Sequence, residues 1–188
     1  MERESLEIIR TIETKKLPKR TKIGINLVSI GLLLLVFSTR GLLGVAKLEY
    51  PSSLLIILII VPVIVLHELS HGIVFKLYTG IVKFGFILRS GLGPVLYTTC
   101  PKCLMPRNRM ILTCLAPQVL TVIALLILAI TQISNIWLAN SLLFFAAFNL
   151  AGGCADLFMI YLMARENSRI FVEDTGTGAI FYREKGTV

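Results

Sequence analysis

Four long apolar runs dominate this chain and decide its class before any other feature is weighed. Residues 23–44, 54–75, 110–131 and 136–164 each approach or exceed the ~20 residues needed to cross the hydrocarbon of a bilayer. The first is the shortest convincing span, because Arg40 lies near its end, and the last is long enough to tilt or to unwind locally. With 55% apolar residues and a mean hydropathy of +0.81, a soluble domain is excluded. A chain of 188 residues suits one compact domain.

The net charge of +8 would suit nucleic acid or anionic lipid, and the placement of the charges decides between them. Lys and Arg number seven in residues 1–22, six in 76–109 and four from Arg165 onward, against two in 40–47 and none in 132–135. Positive residues gather on the cytoplasmic side of membrane proteins, so four spans predict a multi-pass cell-membrane protein with both termini cytoplasmic. Topology accounts for the basic balance, and the expected partner is the lipid bilayer, with no nucleic acid. The long basic start, the full-length first run and the lack of a small-residue cleavage site predict a retained anchor, not a removed signal.

The fold class that follows is an all-α membrane protein. It has four transmembrane helices, a cytoplasmic-side β-hairpin after the second helix and a short C-terminal hairpin. Residues 1–22 form a cytoplasmic amphipathic segment, where Leu6, Ile8, Ile9 and Ile12 suggest a surface helix ended near Pro18. Residues 23–165 form the four-helix domain and 166–188 a cytoplasmic tail. The β-branched and aromatic content of "TGIVKFGFILRSGLGPVLYTTC" predicts a hairpin, with Gly91, Gly93 and Pro94 as its turn. In "RIFVEDTGTGAIFYREK" two short strands flank a Gly-rich turn. Pro117 is expected to separate a surface helix from the third membrane helix. Cys100 and Cys103 lie in a cytoplasmic loop where a stable disulfide is not expected. Without a second CxxC they read as a plain loop. Cys114 and Cys154 read as buried small hydrophobes.

Chemistry enters with the ionisable residues inside the runs. Both histidines of the chain, His67 and His71, sit in "VPVIVLHELSHGIVFKLY" around Glu68. Of eleven acidic residues, only Glu68 and Asp156 fall deep inside apolar runs. Ionisable groups at that depth are costly unless paired or bound to a cation, so each is a functional candidate. Residues i and i+4 of a helix differ by ~40° about the axis, which points His67 and His71 the same way, as two imidazole ligands of one zinc ion require. Glu68 lies ~100° round the helix, outside the ligand pair but able to reach a water on the metal. Zinc takes nitrogen and oxygen ligands and keeps one position for water, lowering that water's pKa to ~7. A neighbouring carboxylate then takes the proton and delivers it to the leaving amine.

A third ligand is needed, and depth points to Asp156. His67 lies nine residues before Lys76, and Asp156 nine before Arg165, where their helices reach the same surface. At 1.5 Å per residue both lie ~13–14 Å beneath it. Cys114 or Cys154 is the alternative third ligand, and a purely structural His–Glu–Asp cluster is the alternative to a metal. Gly152 and Gly153 let the helix loosen or a neighbour approach closely. Asn149 is either packing glue or a hydrogen-bond donor to substrate. The "DTG" at Asp174–Gly176 resembles an aspartic-protease loop, but a lone copy at a Gly-rich tip reads as a turn.

"HELSHG" on a membrane helix, a hairpin, and a later helix with "NLAGGCADL" resemble the site-2 protease family of intramembrane zinc proteases. The resemblance is closer to the small four-span proteins known as putative zincin peptidases, and it covers roughly residues 53–165. It implies His67, His71 and Asp156 as zinc ligands, Glu68 as general base and a membrane-protein or peptide substrate. The later family motif has Asn, then Pro, then Leu-Asp-Gly, with eight residues from Asn to Asp. Here Asn149 to Asp156 is seven, no Pro intervenes, and Leu157 follows the Asp. "LAPQV" at 115–119 resembles a Gly-Pro segment that opens a family helix. The expected function is a membrane zinc metalloprotease. A non-proteolytic membrane zinc hydrolase and a non-catalytic metal-binding or transport protein are the other classes. The hairpin at 81–99 is expected to offer a strand edge that holds extended substrate.

Overall fold

The computed structural model describes residues 3–45, 53–88, 95–131 and 133–186. The turn at Gly91, Gly93 and Pro94 lies outside them. Strand β1 (Leu6–Glu13) precedes helices α1 (Lys19–Ser38) and α2 (Ser53–Thr79). Strands β2 (Lys83–Ile87), β3 (Val95–Thr99) and β4 (Met105–Pro106) lead into α3 (Arg107–Thr131), α4 (Ile136–Gly152) and α5 (Cys154–Ala164). Strands β5 (Phe171–Asp174) and β6 (Gly178–Glu184) follow. Three helices are long and apolar enough to cross a membrane, or four if the bent pair α4 and α5 is one span.

The chain divides into two compact units: residues 1–23, 68–115 and 156–188 form one, and 24–67 and 116–155 the other. The strands all belong to the first. Here the fold is not strictly all-α: an antiparallel four-stranded sheet, β1-β6-β5-β4, accompanies the two-stranded β2-β3 hairpin. Residues 6–13 are a strand and not the expected amphipathic helix. Four β-branched residues favour that state, and a register shift between Ile8 and Arg10 explains why the pattern looked helical. The extra residue brings Leu6, Ile9 and Ile12 to the core at a spacing of three, not two. Phe75, Met105, Met110, Met163, Val172 and Phe181 fill that core.

The second unit is helical. Val36, Ala124, Leu128, Ala139, Leu143, Ala146 and Ala147 form its core, and the alanines let helices approach closely. Phe37 meets Phe144 edge to face at 5.0 Å. Asn135 caps α4, its Oδ1 accepting from the N–H groups of Trp137 and Leu138. Outward-facing Leu27, Leu34 and Ile130 are 61–75% exposed, as lipid-facing side chains are.

Three local expectations meet the structure differently. The last apolar run does break, at Gly153 between α4 and α5. Pro117 does not separate two helices: α3 runs through it. Cys100 and Cys103 are joined as a disulfide, their Cα atoms 5.5 Å apart across the CxxC turn, within the span a disulfide bridges. Cys114 and Cys154 are buried, as expected.

Candidate metal centre

The site grows from one turn of α2. His67, Glu68 and His71 each offer one ligand atom, all within 4.8 Å of one another, and the i, i+4 spacing brings the two imidazoles to one face. The unit boundary passes between His67 and Glu68.

His71 is buried, and its Nδ1 lies 2.8 Å from the Thr113 carbonyl on α3. A carbonyl only accepts, so Nδ1 carries a proton, and Nε2 is the ring atom left to meet a metal. The acceptor is available for a local reason. Pro117, four residues on, has no N–H, so Thr113 lacks its ordinary helical donor. The other side of the ring faces Asp156, with Nε2 3.4 Å from Oδ2. Two ligand atoms on a tetrahedral zinc at ~2.0–2.1 Å stand ~3.3 Å apart. The two side chains therefore fit one ion. Without a cation, a proton or a metal, two lone pairs would oppose each other across that gap.

His67 is held from its own unit by Asn149, which is fully buried. Asn149 donates from Nδ2 to the Pro117 carbonyl at 2.7 Å and to Thr121 Oγ1 at 2.8 Å. Its Oδ1 is left as the acceptor for His67 Nδ1 at 3.1 Å. Both histidines thus present Nε2, with Nδ1 anchored, the arrangement by which neighbouring groups fix a ligand's tautomer and direction. Both N–H bonds of the Asn149 amide are spent inside the protein.

The hairpin lies against the same turn of α2 within its unit. Thr98 Oγ1 donates to the Glu68 carbonyl at 2.9 Å. Gly72, next to His71, lets Phe84 approach so closely that a Cβ there would stand 3.0 Å from the ring.

Sequence reasoning passed over four polar neighbours: Thr113, Gln118, Thr121 and Asp174. The first three are polar groups within an apolar helix, a signal that the chain carried. Asp174 reads from the sequence as part of a plain turn. Its carboxylate does accept from the Gly176 N–H at 2.8 Å, as a turn residue would. Burial pushes its carboxyl up from 3.8 to about 6, with Asp156 adding to the rise and Gly176, Thr99 and His71 opposing it. A carboxyl raised on folding contributes stability that is full below the unfolded value and is lost as pH rises through the folded one. Asp174→Asn, neutral throughout, is therefore expected to exceed wild type by roughly 1–3 kcal/mol above pH ~6. The gain should vanish below pH ~4. Thermal melts in detergent at both ends of this window check it, and an equal gain at low pH would show another cause.

Against known proteins, the profile of the family described as "Putative zincin peptidase" matches residues 59–171, more than half of the chain. The chain belongs to this family. The match takes in the whole His67–Glu68–His71 turn, α3, α4 and Asp156. Comparison with curated proteins and with solved structures gave no match. A zincin peptidase family and a His-Glu-x-x-His group together fit a zinc metallopeptidase.

Asn149→Leu keeps the volume but removes the acceptor for His67 Nδ1. Loss of such an orienting group typically costs 10–100-fold in metal affinity. We expect that loss in competition titrations with a zinc chelator, and a smaller one for Asn149→Asp, which retains an acceptor. Equal zinc affinity in Asn149→Leu would show that His67 needs no such support.

Proposed function

We propose that this protein is an integral-membrane zinc metallopeptidase, similar in site to the site-2 proteases, that hydrolyses peptide bonds in or near the bilayer. His67, His71 and Asp156 hold the metal and Glu68 is the general base. The observation that supports this best is the 3.4 Å approach of His71 Nε2 to the Asp156 carboxylate, with Nδ1 of the same ring already engaged. Zinc bound there supplies a Lewis acid, which acidifies water to near neutrality and draws electrons from a carbonyl oxygen.

The rest is the work of the chain's own side chains. Glu68 takes the proton of the attacking water on a carboxylate oxygen and passes it to the departing amine nitrogen as the C–N bond breaks. Asn149 serves as a positioning group for His67 and not as a substrate contact, because its donors are already used. A peptide bond within a helix is shielded, so substrate must first be extended. The two-stranded β2-β3 hairpin, fixed to α2 by Thr98, offers a strand edge for that purpose. If disrupting the loop around Gly91–Pro94 leaves cleavage unchanged in a folded protein, the hairpin is no clamp.

The charge distribution supports a multi-pass cell-membrane protein with both termini cytoplasmic, and the reading takes lipid as its surroundings and a membrane protein or peptide as its substrate. The test is a comparison of membrane-protein fragments in cells carrying wild type or Glu68→Gln, with zinc analysis of both purified proteins. Fragments that disappear with Glu68→Gln while zinc stays bound are expected. Identical fragment patterns would remove the case for proteolysis.

A further inference from the structure

The network behind His67 ends on a group that the proposed mechanism does not use. Asn149 donates to Thr121 Oγ1, whose one proton goes to Gln118 Oε1 at 3.3 Å. In this arrangement the Gln118 amide turns its oxygen to the hydroxyl and its Nε2 away from it. Gln118 Nε2 is left buried and, among the described residues, donates to nothing. A buried amide N–H without an acceptor is unfavourable by ~1–3 kcal/mol, so the position calls for a ligand atom or a function.

The surroundings of Nε2 say which. A Cβ built on Gly153 would overlap Gln118 Nε2 and stand 3.4 Å from His67 Cε1. The unpaired amide and the His67 ring carbon bonded to Nε2 thus border the same space, which only a glycine at 153 leaves open. Gly153 is also where the last span breaks.

We propose that the Gln118 side-chain amide is the hydrogen-bond donor to the carbonyl oxygen of the peptide bond being cleaved. This inference rests on the zinc-peptidase reading. Charge develops on that oxygen as water adds to the carbon, and a fixed N–H beside it is stronger in the transition state than in the ground state. Gln118 makes and breaks no bond. Thr121 and Asn149 link its orientation to that of His67, so one run of hydrogen bonds positions both a metal ligand and an oxyanion donor.

The test uses the full-length protein in detergent and a quenched fluorogenic single-span peptide that wild type cleaves. Gln118→Met keeps the length and removes the donor, and Gln118→Glu also keeps the acceptor for Thr121. Both should lower kcat by about 10²–10³ with KM little changed and zinc per chain unchanged. Gly153→Ala should displace the amide and act in the same direction, adding little to Gln118→Met in the double variant. A readout apart from turnover is acetohydroxamate titration of the cobalt-substituted protein, followed by its visible spectrum, where Gln118→Met should weaken binding about tenfold. If Glu68→Gln is inactive but both Gln118 variants cleave and bind acetohydroxamate like wild type, the donor role is overturned and the peptidase reading stands. If Glu68→Gln cleaves like wild type, both fall. Loss of zinc or of folding in both Gln118 variants would make the residue structural and overturn the proposal.

Discussion

Replacing Glu68 by Gln is expected to lower peptide cleavage by ~10²–10⁴-fold while leaving zinc content unchanged. The magnitude follows from what a positioned general base contributes, ~10²–10⁴. The amide is nearly isosteric, and it neither takes a proton from water nor passes one to the amine. Glu68 lies ~100° round the helix from His67, outside the pair of imidazoles, so its loss should spare the metal. The measurement is kcat on a purified preparation whose zinc stoichiometry is determined in parallel. A protein that stores or transports zinc would pass unharmed through this substitution. A hydrolase acting on a non-peptide group would lose its activity too, but would leave membrane-protein fragments in cells unaltered. The two assays together thus separate the three classes.

His71→Ala and Asp156→Asn are expected to empty the site. Removing a ligand itself should exceed the ~10–100-fold that orienting groups are worth. His71→Ala deletes an imidazole, and Asp156→Asn changes a carboxylate into an amide of nearly the same shape. That second variant is the sharper test, because steric collapse cannot explain its effect. Dialysis against a mild chelator, followed by zinc analysis, should leave wild type loaded and both variants bare. Retention of zinc by Asp156→Asn would move the third ligand elsewhere, with the buried thiols of Cys114 and Cys154 the first residues to exchange.

What the sequence disclosed follows from where each determinant lies. Spans are legible because hydrocarbon penalises every polar group, so long apolar runs have few other uses. The His67–Glu68–His71 turn is legible because its spacing is the helix's own period. Asp156 was reached by comparing depth, and the structure brings it to His71. The strand at Leu6–Glu13 was not legible, since its partner β6 lies at the far end of the chain and a bulge gives it a helix-like spacing. The groups that orient the histidines were hidden for another reason. One is a backbone carbonyl, which no residue name encodes, and the other is an asparagine that could equally have faced substrate.

The carbonyl at 113 carries a consequence for how this chain can vary. No side-chain exchange at that residue can delete the atom that steers His71, so evolution or a designer must act four positions downstream. Restoring an amide proton at position 117 would give the oxygen a rival suitor and loosen the imidazole without touching it. The least reactive side chain in the neighbourhood, a proline ring, thereby acts as the set screw on the imidazole at 71.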